Sequence, residues 1–286
     1  MAHAISAHTA LLGVLGHPVG HSLSPALHNA AITALGLDWV YLALPVPAEQ
    51  LATVVQGLEA IGCRGLSVTI PHKQSVAALC RQLSPLAERV GAVNTLVPLE
   101  GGGWFGTNTD VEGFVTPLRN QTWQGRHALV LGNGGSARAV VAGLVELGLE
   151  AITVVGRRPE ALSAFAAQCS AWAPQLTTQT LDRSIEPLLA AVDLVVNTTP
   201  LGMGTDQSPL SPSQVAVLRP GTTVYDLIYV PRPTQLLRLA AAGGCTTIDG
   251  LTMLVHQGAA ALRLWSGRSE VPVAAMTAAA EAALRD

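Results

Sequence analysis

Lys73 is the only lysine among 286 residues, and every other cationic side chain of that kind is an arginine. It closes the stretch GLSVTIPHK (65–73), in which an apolar alternation running through Ile70 meets Pro71. Proline has no N–H to give a ladder, so the strand stops there and the chain turns away from it. Other small polar residues stand at the ends of expected strands: Ser22, Ser24, Ser67, Thr69, Asn94 and Asp110. In a parallel α/β sheet, ligands bind outside the carboxyl ends of the strands. Hydroxyls, an amide, one ammonium and one carboxylate at such an edge suit a small polyhydroxy acid. Each residue also has a plainer use. Ser24, ahead of Pro25, suits a helix N-cap. Ser22 suits a turn, Asn94 a backbone partner, Thr69 a strand, and Lys73 a solvated helix position.

A second constellation follows the apolar run HALVL (127–131), in GNGGSARAVVAGLVELG. Gly132, Gly134 and Ala137 match the spacing G-x-G-x-x-G/A at a strand end that opens a helix. There the first glycine permits a tight turn, the second lets backbone approach a pyrophosphate, and the alanine allows close helix–strand packing. The helix N-terminus offers N–H groups to phosphate. Glycine-rich turns also arise for packing alone, but a strand–helix–strand context favours a dinucleotide. The next strand ends in Gly156-Arg157-Arg158, with no carboxylate before Glu160. A reader of a ribose 2′-hydroxyl needs Asp or Glu at that point, whereas paired guanidiniums suit a 2′-phosphate. NADP rather than NAD is the expectation, against the alternative of a solvated arginine pair.

These residues need a scaffold of alternating strands and helices. Strands are expected at 10–15, 39–44, 65–70, 92–97 and 104–110, with helices from Ser24, over 48–60, over about 72–82 and from Ser84-Pro85. The rhythm lapses over 111–126, which marks a domain boundary. It resumes with strands at 127–131, 151–155, 193–197, 222–228 and 245–249, and helices to about 147, over 159–170 and over about 233–242. The alanine-rich stretch 251–286 is helical by propensity. The fold class is α/β, in two domains, each with a mostly parallel sheet, the second of Rossmann type.

Composition closes several doors. Charged residues are 12% and the net charge is −3, which gives no electrostatic footprint for nucleic acid. No run approaches the roughly 18 apolar residues of a spanning helix, so no membrane segment is expected. MAHAISAHTALLGVLG has no basic region that would open a secretory signal, and Cys63, Cys80, Cys169 and Cys245 form no C-x-x-C pair. Free thiols in a reducing cytoplasm are the expectation. His17 and His21 are separated by Pro18 and Gly20, which keeps them off a common helical face, and no metal site is expected.

The motifs HSLSPALHN (21–29), VTIPHK (68–73), GAVNT (91–95), GTNTD (106–110), GNGGSAR (132–138), NTTPLGM (197–203), DLIY (226–229) and DGLTMLVHQG (249–258) resemble, in order and spacing, those of shikimate dehydrogenases. The resemblance implies a shikimate-binding domain of residues 1–110 and 251–286, an NADP-binding domain of 111–250, and an active site in the cleft between them. It implies that Ser22 and Ser24 hold the substrate carboxylate with Tyr229 close by, and that Thr69, Asn94, Asp110 and Gln257 bond the ring hydroxyls. Lys73 and Asp110 would be the acid–base pair. Gly132, Gly134, Gly135, Ser136 and Ala137 would underlie the pyrophosphate, Arg157 and Arg158 the 2′-phosphate, and Thr198, Leu227 and Gly250 the path to the nicotinamide.

The activity so implied is reversible reduction of 3-dehydroshikimate to shikimate by NADPH, in biosynthesis of chorismate and the aromatic amino acids. A homodimer is one assembly the resemblance leaves open. Ser67, Asn133, Gly156 and Arg158 depart from the common pattern, the first for an Asn, the second for an Ala, the third for an Asn and the last for a Ser or Thr. Rival readings are a quinate/shikimate dehydrogenase that also uses NAD, a non-catalytic metabolite sensor, and a folate-linked dehydrogenase. A sensor has no need of the Lys73–Asp110 pair, and a folate enzyme has no need of S-x-S-P.

Overall fold

Short buried strands alternate with helices along the whole chain. In order they are β1 (Ala10–Gly16), α1 (Ser24–Ala34), β2 (Trp39–Pro45), α2 (Leu51–Ala60), β3 (Gly65–Val68), β4 (Gln82–Leu83), α3 (Pro85–Val90), β5 (Thr95–Pro98), β6 (Trp104–Thr107) and α4 (Asp110–Val115). There follow β7 (His127–Leu131), α5 (Gly135–Glu146), β8 (Ala151–Gly156), α6 (Pro159–Cys169), β9 (Leu176–Thr180), α7 (Glu186–Leu189) and β10 (Leu194–Asn197). The last are α8 (Pro212–Val215), β11 (Thr223–Asp226), α9 (Gln235–Ala242), β12 (Thr246–Ile248), α10 (Gly250–Ser266) and α11 (Val273–Ala283). This computed structural model describes residues 5–123, 126–181 and 184–285. They form two units, Met1–Gly113 with Leu254–Asp286, and Phe114–Met253. The divisions expected after residues 110 and 250 compare with these observed divisions after Gly113 and Met253.

The first unit holds a six-stranded sheet in the order β2-β1-β3-β5-β6-β4. β1 runs parallel to β2 and β3, whereas β5 is antiparallel to both β3 and β6. The reversal is made by Gly101, Gly102 and Gly103, all with φ between 83° and 88°, where a side chain would be strained. Below the sheet lies a core of Leu15, Val55, Leu66, Val68, Val76, Leu96 and Trp104, among others. On the other face α10 comes close to β3. A β-carbon on Gly65 would fall 2.3 Å from the Trp265 ring, and Trp265 Nε1 donates to the Leu96 carbonyl at 3.0 Å.

The second unit carries a fully parallel sheet, β12-β11-β10-β7-β8-β9. Numbered from β7, that order is the doubly wound 3-2-1-4-5-6 arrangement, with its switch point between β7 and β10. Among the described residues no helix is long and apolar enough to cross a membrane.

Local expectations fail where tertiary hydrogen bonds outbid propensity. The helix expected at 72–82 is a turn followed by a 3₁₀ segment, Ser75–Leu79. Beyond it the backbone is drawn to β6, Arg81 N–H donating to Trp104 and Ser84 N–H to Gly106, both at 2.9 Å. The strand expected from residue 92 begins only at Thr95. Ser24 is the first helical residue rather than a cap; Leu23 holds the N-cap position with no side-chain bond. The polar strand β9 and the one-turn helices α7 and α8 carry too little periodicity to be expected. The final helix is two helices, parted near Gly267 at φ 68°.

Candidate active site

Lys73 lies beyond the end of β3, and its placement is built from backbone upward. Val68 N–H donates to the Asn94 carbonyl at 2.8 Å, Val93 N–H to the Lys73 carbonyl at 2.7 Å, and Asn94 N–H to the Thr107 carbonyl at 3.1 Å. The turn between Val68 and Lys73 is closed by His72 N–H donating to the Thr69 carbonyl at 2.9 Å. The His72 ring is buried and bonds the Val46 carbonyl through Nε2 at 2.6 Å. These ties bring the ends of β3 and β6 and the approach to β5 to one spot. There Lys73 Nζ donates to Asp110 Oδ2 at 2.6 Å, with the ammonium side chain 19% and the carboxylate side chain 8% exposed.

Asn94 organises the other side of that carboxylate. Its Nδ2 donates to Asp110 Oδ1 at 2.8 Å and reaches Thr109 Oγ1 at 3.1 Å and Gln257 Oε1 at 3.4 Å. Its Oδ1 accepts from Thr109 N–H at 2.7 Å and from the Thr95 hydroxyl at 3.0 Å. Gln257 comes from α10 and is itself tied to the Leu254 carbonyl at 2.9 Å. Asn108 accepts from Asp110 N–H at 3.0 Å while donating to the Ala92 carbonyl at 3.0 Å. Lys73, Asp110, Asn94 and Gln257 thus form one hydrogen-bonded group. Asn108, Thr109 and Thr95 complete it, and none of these three was singled out from sequence. Asn108 and Thr109 lie inside the quoted motif GTNTD, which is the signal that could have found them.

The remaining first-unit candidates make no hydrogen bond to this group. Thr69 is half-buried, and its methyl fills the space that a β-carbon on Gly16 would need, 2.5 Å away. Ser22 Oγ accepts from Ser24 N–H at 3.2 Å, so the two serines are linked locally. Ser24 and Ser67 both face the Tyr41 hydroxyl. Neither that hydroxyl nor Ser67 Oγ reaches a partner within hydrogen-bonding geometry. Burial pushes the Tyr41 phenol well above its ordinary range.

In the second unit the glycine loop sits at the sheet's switch point. Gly132 has φ 100°, and a β-carbon there would fall 2.7 Å from Thr198 Oγ1 at the end of the neighbouring β10. Thr198 Oγ1 in turn donates to the Leu131 carbonyl at 2.7 Å. Gly134 and Gly135 face open space, with Gly135 opening α5 and Ala137 fully buried. Ser136 follows in the first turn, half-buried. Bare backbone at the mouth of a 12-residue helix fits a pyrophosphate.

Arg157 and Arg158 are exposed, and neither guanidinium has a partner among the described residues. Cations free of internal ion pairs fit a phosphate that comes from outside. Leu227 N–H donates to the Asn197 carbonyl at 3.1 Å. Gly250 lies so close that a β-carbon there would fall 1.9 Å from the Leu227 oxygen. Asn197 and Thr234 both donate to the buried Asp226 carboxylate, at 2.9 and 2.7 Å. Burial raises that carboxyl's pKa against the pull of those bonds. Tyr229 is half-buried in this unit, its phenol also raised by burial. Among the described residues no three His, Cys, Asp or Glu side chains gather as a metal site would require.

Comparison with known proteins agrees along the chain. Residues 14–96 match the family model described as the shikimate dehydrogenase substrate binding domain. Residues 117–202 match that of shikimate / quinate 5-dehydrogenase, and 250–281 the shikimate 5′-dehydrogenase C-terminal domain. The chain is 52% identical over 284 residues to a shikimate dehydrogenase (NADP(+)) from Synechococcus sp. (strain JA-3-3Ab), covering 96% of this chain and 94% of that one. Its fold matches a Thermus thermophilus shikimate 5-dehydrogenase solved with NADP(H) and shikimate, at TM-score 0.85 and 37% identity, over 96% of this chain and 100% of that one. A Corynebacterium glutamicum quinate dehydrogenase solved with NAD matches at TM-score 0.87 and 32% identity, over 96% and 99% of the two chains. Sequence identity at that level over nearly the full length leaves one conclusion: the chain belongs to the shikimate dehydrogenase family.

Proposed function

We propose that this protein is an NADP-linked oxidoreductase that reversibly reduces 3-dehydroshikimate to shikimate, a step in aromatic amino acid biosynthesis in the cytoplasm. The observation that carries the reading is the Lys73 ammonium, held 2.6 Å from a buried carboxylate that Asn94 grips from its other side. The nicotinamide nucleotide, when bound, supplies or accepts the hydride. As the ketone oxygen gains charge, Lys73 stabilises it and delivers a proton; in the oxidative direction Lys73 takes that proton back. Its partial exposure lets water restore the proton after each turnover. A guanidinium could not do this, because it does not give up its proton in proteins.

Asp110 aims the ammonium and accepts from a ring hydroxyl, while Asn94, Thr69 and Gln257 bond the neighbouring ones. Ser22 and Ser24 hold the carboxylate through their hydroxyls. In the nucleotide unit Gly132, Gly134, Gly135, Ser136 and Ala137 seat the pyrophosphate, and Thr198, Leu227 and Gly250 line the way to the nicotinamide. Arg157 and Arg158 grip the 2′-phosphate, which favours NADP over NAD. The test is NADPH oxidation by purified protein with 3-dehydroshikimate, set beside NADH and quinate. Turnover with NADPH and 3-dehydroshikimate far above either control is expected. No turnover would overturn the reading, and equal rates with NADH or quinate would replace it with a broader quinate/shikimate enzyme.

A further inference from the structure

Asn133 is the single large side chain at the tip of the glycine loop, between Gly132 and Gly134. Gly132 N–H donates to the Val155 carbonyl at 2.8 Å, so the loop runs beside the end of β8. A β-carbon on Gly156 would stand 3.3 Å from Asn133 Oδ1 and 3.1 Å from Leu162 Cδ2. The carboxamide therefore lies over the bare Cα of Gly156, immediately before Arg157 and Arg158. Like those guanidiniums, it has no hydrogen-bond partner among the described residues. A short amide with free donors, laid against the backbone where two unpaired cations begin, is suited to an anion with several acceptor oxygens.

We propose that Asn133 is a specificity-determining residue that binds the 2′-phosphate together with Arg157 and Arg158, and that Gly156 is bare because Asn133 occupies the space above it. This rests on the reading of the nucleotide as NADP. Long exposed arginines lose much side-chain entropy on binding, whereas a two-torsion amide has less to lose. The closest carboxylate along the chain, Glu160 in the first turn of α6, opposes an anion there, which makes each additional donor count. A purely structural role for Asn133 in shaping the turn would affect all adenine nucleotides alike. A role at the phosphate affects only those that carry it.

The probes are adenosine 2′,5′-bisphosphate and 5′-AMP, which differ only in the 2′-phosphate, titrated calorimetrically into the full-length protein. Asn133→Ala should raise Kd for the bisphosphate about tenfold and that for 5′-AMP by less than about twofold, as loss of one charge-assisted hydrogen bond implies. Asn133→Asp keeps the shape and sets a carboxylate against the phosphate, so it should weaken the bisphosphate further still; it also serves if the alanine variant folds poorly. Gly156→Ala should weaken the bisphosphate by displacing Asn133, yet add nothing to Asn133→Ala, since the two act at one contact.

Equal weakening of both probes, or an unchanged bisphosphate Kd, overturns the assignment. The parent protein and the double variant Arg157→Ala/Arg158→Ala separate this from the underlying reading. If the parent protein shows no preference for the bisphosphate over 5′-AMP, the NADP reading itself falls; if the double variant keeps a preference that the parent has, only the role of the two arginines falls. If it abolishes the preference while Asn133→Ala does not, only the role of Asn133 falls.

Discussion

Lys73→Met removes the ammonium while keeping most of the side-chain length. The side chain it replaces donates to Asp110 Oδ2 at 2.6 Å and is 19% exposed, so both a proton source and a counterion are lost. General acid–base groups contribute about 10²–10⁴-fold to rate, so kcat should fall by that factor, or about 2.7–5.4 kcal/mol of barrier. The KM for shikimate should change by less than about tenfold, because the substrate contacts proposed for Ser22, Ser24, Asn94 and Gln257 do not involve Lys73. Asp110 retains the bond from Asn94 Nδ2 at 2.8 Å, so the carboxylate is not stranded and the fold should survive. The assay is steady-state shikimate oxidation followed by NADPH absorbance, with single-turnover traces to isolate hydride transfer. Asp110→Asn should also lower kcat, and the double variant should be no slower than the worse single one, as expected of residues that work as a unit. A Lys73→Met enzyme within about threefold of the parent kcat would refute the acid–base role.

Ser22→Ala with Ser24→Ala should raise the KM for shikimate while leaving NADP affinity unchanged, and should lower the melting temperature only slightly, because the one bond lost is the long one from Ser24 N–H to Ser22 Oγ and Ser24 itself makes no cap bond; a large fall in stability with normal KM would contradict this. His28 is fully buried, with neither ring nitrogen bonded, and stacks on Tyr41 at 4.2 Å, so burial lowers its pKa from the ordinary 6.5 to about 3. The unfolded chain then binds a proton that the folded one refuses, so stability is full above that ordinary value and drains as pH falls toward the folded pKa. The loss should reach about 2 kcal/mol by about pH 5, and His28→Leu should flatten the denaturation midpoint over that window; an unchanged slope would count against a buried neutral imidazole. Gly250→Ala would set a methyl 1.9 Å from the Leu227 carbonyl, so it should cost about 1–3 kcal/mol or more in urea melts and raise the KM for NADPH. A variant as stable and active as the parent would show that this backbone contact can relax freely.

Some of this was legible because its physics is local. A glycine loop between a strand and a helix is a property of consecutive residues, and Gly132 does adopt φ 100° where a tight turn demands it. Arg157 and Arg158 announce their charge at a strand end without help from distant parts. The lone lysine could likewise be read from one short stretch, although β3 ends at Val68 rather than running through Ile70 to Pro71, and the alternation of strand and helix was enough for the class of fold. The failures were equally local in origin. Residues 72–82 have helical propensity, yet two hydrogen bonds to β6 decide their path. Ser24 has the chemistry of a cap but sits one position inside the helix.

What no stretch of sequence contains is the meeting of distant parts. Asn94 and Gln257 are 163 residues apart, and only the path of α10 brings them within 3.4 Å. His72 finds the Val46 carbonyl because β3 and the end of β2 are neighbours across β1. Asn133 lies over Gly156 because β7 and β8 pair in parallel. Residue types and spacing along the chain determined which chemical groups were available and on which kinds of element they would stand. Which of those groups touch was decided by strand order and helix packing, since a hydrogen bond acts over about 3 Å and contacts of that range between remote residues exist only once the sheets are assembled.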